Sequence, residues 1–197
     1  KYNDFAREVL LPHKMSQFGP GLAIGDANGD GRDDFFVGNA AGQSGALFIQ
    51  NPDGNFTEMA GPWNEDISSE DMGAAFFDLD ADGDNDLYVV SGGNEFEKNS
   101  LSLQDRLYIN MGNGEFVKSS NGLPQMLSSG SCVKAYDYDG DKDIDLFIGG
   151  RLVPGQHPLP AKSYLLRNDG GSNLNLSFTD MTNESAPMLT NLGMVTD

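Results

Sequence analysis

Apolar residues in this chain come in short runs bounded by Gly, Pro, Asn or Asp, the pattern of β-strands joined by tight turns. A first set holds four such runs: Leu22-Ala23-Ile24, Phe35-Phe36-Val37, Ala46-Leu47-Phe48-Ile49 and Asn55-Phe56-Thr57-Glu58, the last two joined through Pro52-Asp53-Gly54. The set then repeats in order. Its second copy is Gly73-Ala74-Ala75-Phe76-Phe77, Leu87-Tyr88-Val89-Val90, Arg106-Leu107-Tyr108-Ile109 and Glu115-Phe116-Val117-Lys118. Its third is Cys132 to Tyr136, Leu146-Phe147-Ile148, Tyr164-Leu165-Leu166-Arg167 and Ser177-Phe178-Thr179-Asp180. Acidic segments starting at Asp26, Asp78 and Asp137, 52 and 59 residues apart, join the first run of each set to the second. Four strands per unit at that period predict propeller blades, with a short stacked β-solenoid as the alternative.

The expected fold class is all-β: a β-propeller segment of three four-stranded blades at residues 19–62, 71–124 and 130–187, with partial blades at both ends. Residues 1–18 read as the end of a preceding blade, and 191–197 as the first strand of a further one, running to the start of its acidic loop. Propellers use four to eight blades, so the remaining blades of a larger ring are expected as neighbours. An open strand edge also invites self-association with a second copy.

The joining segments carry the chemistry. Asp78-Leu79-Asp80-Ala81-Asp82-Gly83-Asp84-Asn85-Asp86 places five carboxylates in nine residues. Like charges about 4 Å apart repel by roughly 1 kcal/mol per pair in water and about 4 kcal/mol near a protein surface, so folding this loop tightly calls for a cation. Oxygen-only ligands select a hard one, Ca²⁺ before Mg²⁺. Asp78, Asp80 and Asp82 supply side chains at loop positions 1, 3 and 5, Gly83 the turn at 6, Asp84 a backbone carbonyl at 7 and Asp86 the closing ligand at 9. Loop 26–34 repeats the set with Asp26, Asn28, Asp30, Arg32 and Asp34; loop 137–145 repeats it with Asp137, Asp139, Asp141, Asp143 and Asp145, and with Lys142 at the turn position. Position 12, where an EF-hand requires Glu, is Val37, Val89 or Ile148, so each loop leads into a strand. One acidic turn is commonly just solvated. Three at the same place in a repeat predict up to three Ca²⁺, one per loop.

Charge and composition narrow the rest. The formal charge of −18 argues against nucleic acid and anionic membrane surfaces as partners; three Ca²⁺ would bring it to about −12. No apolar run reaches the roughly 18 residues of a membrane span, so no membrane insertion is expected. Cys132 is the single cysteine, which excludes an internal disulfide and reads as a buried small hydrophobe. Weak calcium modules are tuned to the millimolar calcium outside cells, which favours a secreted or surface location.

The pattern D-x-D-x-D-G-x-x-D between two apolar strands resembles the FG-GAP/VCBS repeat, the calcium-bearing blade of integrin alpha-subunit propellers and of many bacterial surface proteins. Leu11-Pro12-His13-Lys14 with Phe18-Gly19-Pro20, and Gly149 to Gly155 leading to Ser163-Tyr164-Leu165-Leu166-Arg167-Asn168, are similar to bacterial VCBS proteins related to cartilage acidic protein, which often carry an ASPIC/UnbV region. The resemblance implies a β-propeller, commonly seven-bladed, with Ca²⁺ in its blade loops, a role in surface binding or adhesion, and an extracellular, bacterial cell-surface or periplasmic location.

A binding module for a protein or glycan is therefore the expected function, without catalysis. The alternatives are the propeller of a polysaccharide lyase or hydrolase, or a passive scaffold. Enzyme candidates are few: His13 and His157 are lone loop histidines, and no Ser-His-Asp signature, phosphate loop or histidine metal cluster occurs. Insertions at 92–99 and 151–162 fall where repeat folds gather binding loops. Arg151 is expected in a structural ion pair, and Trp63 in core or interface packing.

Overall fold

The structure, a computed structural model, describes residues 2–196. The apolar runs form strands as their pattern predicts. The first sheet holds β1 (Leu22–Gly25), β2 (Asp34–Val37), β3 (Ala46–Gln50) and β4 (Phe56–Met59). The second holds β5 (Asp71–Phe77), β6 (Asp86–Ser91), β7 (Arg106–Asn110) and β8 (Phe116–Lys118). The third holds β9 (Ser129–Tyr136), β10 (Asp145–Leu152), β11 (Tyr164–Asn168) and β12 (Phe178–Asp180). Each is an antiparallel meander in chain order, and no sheet closes into a barrel among the described residues.

Equal loop length sets equal register. Ile24 lies opposite Phe35, Phe76 opposite Leu87 and Ala135 opposite Leu146, in each pair the second residue before the acidic loop facing the first residue after it. The innermost strands β1, β5 and β9 pack side by side. Their approach is backbone to backbone: a Cβ on Gly21 would lie 2.6 Å from Gly73, and one on Gly73 would lie 2.7 Å from the Ser131 carbonyl oxygen.

The core lies between sheets. Ala23, Phe36, Leu47, Leu87, Val89, Tyr108 and Phe116 join the first sheet to the second, with Trp63 completing the layer. Trp63 meets Phe36, Tyr108 and Phe116 edge-on at 5.5–5.8 Å between ring centroids, the interface packing expected for it. Tyr88, Val90, Leu107, Ile109, Leu146, Ile148 and Leu166 belong to the larger layer between the second and third sheets.

The ends differ from expectation. The described residues of 1–18 contain no strand; they form α1 (Asp4–Arg7) and a 3₁₀ turn at Met15–Gln17. Of the run Val9-Leu10-Leu11 only Leu11 is buried, packed with Met15 and Leu152, while Val9 and Leu10 are 80% and 77% exposed. The segment is fixed by contacts with the third sheet, so an apolar triplet without alternation did not become a strand. At the other end the Val195 amide donates to the Gly150 carbonyl at 3.0 Å, as Asp71 donates to Asn39 where the second sheet meets the first. Val195 also lies on Gly149, as Asp71 lies on Gly38 and Gly130 on Val90. Residues 192–196 nevertheless form no strand, Asn191 ending a 3₁₀ turn that begins at Pro187, and Asp71 and Gly130 stand seven residues before their loops, so Val195 sits out of register with an acidic loop at 197; Asp197 itself lies outside the described residues. Two side chains also depart from expectation. Cys132 is half-buried, because β9 lies at the side of the third sheet. Arg151 makes no ion pair among the described residues and stacks 4.2 Å above the Phe18 ring.

Candidate metal centre

The acidic loops close one end of each β1–β2, β5–β6 and β9–β10 hairpin. All three adopt the same backbone shape. Positions 4 and 6 are left-handed in each: Gly29 and Gly31, Ala81 and Gly83, Gly140 and Lys142. Lys142 at φ 84° shows that the third loop keeps the turn without its glycine, and Ala81 at φ 58° bears the same strain in the second. The requirement at position 4 is not visible at Ala81 in the sequence.

Position 9 is the anchor. Asp34, Asp86 and Asp145 are all buried. One oxygen of each accepts the N–H of loop position 2, from Ala27 at 2.9 Å, Leu79 at 3.1 Å and Tyr138 at 2.9 Å. The other accepts the N–H that ends the third strand, from Gln50 at 2.8 Å, Asn110 at 2.9 Å and Asn168 at 2.8 Å. Each loop is thereby tied to its own sheet. The cost is a buried negative charge: burial pushes the Asp86 carboxyl up to about 7 against the pull of the two N–H donors, with Asp80 and Asp82 adding to the rise. Burial also raises Asp145 and Asp80.

The loops differ at their centres. In the second, oxygens of Asp78, Asp80 and Asp82 lie within 4.8 Å of one another, and in the third those of Asp137, Asp139 and Asp145 do. Asp84 and Asp86, and Asp141 and Asp143, contribute no carboxylate to those triads. Asp78 Oδ1 is buried without any hydrogen-bond partner, while its Oδ2 accepts only a 3.3 Å contact from Gly83. A buried acceptor turned inward among carboxylates is what a bound cation would satisfy, so the donor set fits Ca²⁺.

The first loop is satisfied from within. Asp26 accepts N–H donors from Gly29 at 2.8 Å, Asp30 at 3.1 Å and Gly31 at 2.7 Å. Asn28 Nδ2 donates to Asp30 at 2.9 Å, and the Arg32 guanidinium pairs with Asp30 while its Nε donates to the Gln50 carbonyl at 2.9 Å. Arg32, expected to offer only a carbonyl, brings a positive charge into the loop.

Neighbouring blades grip these loops. Asn110 Nδ2 donates to the Ala27 carbonyl of the first loop, and Asn168 Nδ2 to the Leu79 carbonyl of the second, both at 2.8 Å. The Asn173 N–H also donates to Asp80. The recurrence of Asn at the end of the third strand is readable in the sequence, but its target in the preceding unit is not.

Three stacked four-stranded meanders, each with an acidic loop at the same end, define a propeller-like segment. Residues 26–89 and 78–148 each match the FG-GAP-like repeat family. Together the matches span more than half of the chain, which therefore belongs to that family. The comparison with curated proteins found no match. No helix among the described residues is long and apolar enough to cross a membrane.

Proposed function

We propose that this is a calcium-stabilised binding module, working outside the cell, whose loops hold Ca²⁺ and whose opposite face presents the insertions at 92–99 and 151–162 to a protein or glycan. The observation that carries the calcium reading is the orphaned, buried Asp78 Oδ1 inside a carboxylate triad. Asp78, Asp80 and Asp82 would hold the ion in the second loop and Asp137, Asp139 and Asp145 in the third; Asp26 and Asn28 would hold a weaker one in the first. The ion would neutralise the loop and fix its shape, without taking part in chemistry. A non-catalytic role is supported by His13, whose ring packs edge-on against Phe18. The first sheet turns an apolar face outward, with Leu22, Ile24 and Phe56 exposed, which supports contact with a further blade or a second copy.

The test is thermal unfolding with Ca²⁺ titrated in after chelation, on the wild type and on Asp78→Ala, Asp137→Ala and Asp26→Ala. One site filled at 100 times its dissociation constant adds about 2.7 kcal/mol, a rise of roughly 5–11 °C for a chain of this size. The rise should shrink most in Asp78→Ala and least in Asp26→Ala. An unchanged midpoint in the wild type would remove calcium from the loops.

A further inference from the structure

The far end of the β5–β6 hairpin carries a second group of carboxylates, which the loops do not use. Glu70 directly precedes β5, and Gly93, Asn94 and Glu95 follow β6, while loop 78–86 closes the opposite end. Seven residues of β5 at about 3.3 Å each set the two ends roughly 20 Å apart.

The N-terminal segment closes over this end. Asp4 accepts the Ser16 N–H at 2.9 Å and the Ser16 hydroxyl at 2.6 Å. Asn94 is the hub: its Nδ2 donates to Glu8 at 2.9 Å and Asp4 at 3.4 Å, and its carbonyl accepts from Tyr2 at 3.0 Å and Arg7 at 3.1 Å. Glu8 also accepts the His157 N–H, at 2.6 Å, from the 151–162 insertion. Asp4 and Glu8 thus have their donors.

Glu70 has none for one of its oxygens. Its side chain is on a residue only 4% exposed, and Oε2 is buried without a hydrogen-bond partner. That oxygen is aimed at the same space as Glu95 Oε2. A Cβ built on Gly93 would lie 2.4 Å from the first and 2.8 Å from the second. Glu95 Oε2 receives the Asn94 N–H at 2.9 Å. Neither glutamate has an ion pair among the described residues, and the guanidiniums of this corner are committed, Arg106 to Asp71 at 2.7 Å and Arg7 to Glu97 at 3.1 Å. A buried carboxylate meeting a half-buried one with no counter-charge is repelled, and the hard oxygen pair is the donor set of a divalent cation.

We propose that Glu70 and Glu95 bind a divalent cation of the Ca²⁺ class at this end of the second blade, separate from the loop sites. The ion joins the β4–β5 connection to the 92–99 insertion. Through Asn94, beside Glu95, it also secures the N-terminal segment and the 151–162 insertion to the face proposed for binding. A shared proton is the competing occupant: burial first, and Glu95 next, push the Glu70 carboxyl up to about 8. A proton neutralises one of the two charges, whereas a divalent ion neutralises both.

The experiment is a count of bound Ca²⁺ by equilibrium dialysis of the whole chain at alkaline pH after chelation. It compares the wild type with Glu70→Gln/Glu95→Gln, with Glu95→Gln alone, and with a loop variant combining Asp26→Asn, Asp78→Asn, Asp80→Asn, Asp137→Asn and Asp139→Asn. The double glutamine variant should bind one ion fewer than the wild type, Glu95→Gln should bind that ion at least tenfold more weakly, and the loop variant should retain it. Chelation should also speed backbone amide exchange at Ser16 in the wild type but not in the double variant. Equal counts in the wild type and both glutamine variants would overturn the proposal and leave the proton as occupant. Because the loop variant removes a ligand aspartate from all three loops, a failure of calcium in the loops and a failure here give different counts. Glutamine removes repulsion between the carboxylates, so the variants should unfold no lower than the wild type in chelator; Glu95→Gln, at a half-buried residue, keeps the count readable if the double variant does not fold.

Discussion

The first and second blades share strand order, loop length and register, yet they live in different surroundings. Every residue of β6 and β7 is buried, because the second sheet lies between the other two. The first sheet is covered on one side only. On its outer side Ile24, Phe35 and Phe48 align across β1, β2 and β3, with the two phenylalanine rings stacked at 4.9 Å and Ile24 64% exposed. Both blades carry apolar residues on both faces, so a blade's sequence records the neighbours it is built to have more than those it touches. The loops diverge too. The second concentrates unrelieved carboxylates, whereas the first has replaced one with Asn28 and neutralised another with Arg32.

The strongest test of the contrast is a pair of truncations. Ile109→Ala, in the middle of the second blade, should cost about 2–5 kcal/mol in urea unfolding, and Ile24→Ala no more than about 0.5 kcal/mol. Comparable costs would mean that the outer side of the first sheet is covered in solution.

A second difference is the buried acid of the second blade, which the first replaces with Gly45. Asp105 accepts the Ser91 N–H and the Tyr88 hydroxyl, both at 2.8 Å, and burial pushes its carboxyl up to about 7 despite those donors and Arg106. A raised acid favours the folded state while protonated. Its contribution is therefore complete below about pH 4 and is lost as pH rises towards 7, at about 1.4 kcal/mol per pH unit. Asp105→Asn removes the titration, so the variant should gain on the wild type between pH 4 and 7 and run parallel above. Parallel curves throughout would show that Asp105 is ionised with an ordinary pKa.

The smallest effect should come from converting one loop into the other. Asn28→Asp together with Arg32→Ala restores the missing carboxylate and removes the internal counter-charge. The pair should destabilise the chelated protein by about 1 kcal/mol or less and make the first loop's calcium response approach that of the second, as read from the melting midpoint. A response unchanged from the wild type would locate the difference between the loops elsewhere.

Much of this architecture is legible in the sequence because it is local. Runs such as Phe35-Phe36-Val37 and Leu87-Tyr88-Val89-Val90, separated by nine-residue acidic loops, encode hairpin and register together, and the three repeats make the sheets unmistakable. The triads follow from positions 1, 3 and 5, except that the third loop substitutes Asp145 at position 9 for Asp141. What stayed hidden depends on contacts distant in the chain. Val9-Leu10-Leu11 resembles a strand until Leu11 alone meets Leu152. Glu70 and Glu95 are ordinary polar residues beside a strand until folding aims them at one space. Val195 shows the same limit, since the β10 carbonyl it meets, and not its similarity to an earlier strand, decides its register.

The amides of Asn110 and Asn168 have a wider consequence. Each links the end of one blade's third strand to the loop of the blade before it, and the same residue's N–H holds its own loop's ninth aspartate. The loops therefore form a linear chain of nearest-neighbour couplings. If the loops take up Ca²⁺ as proposed, filling one would order the asparagine that also braces the preceding loop, so ions would enter with positive cooperativity, and by reciprocity each would raise the affinity next door. A metal titration of the intact array would then rise more steeply than independent sites allow, the loops answering as a row and not one by one.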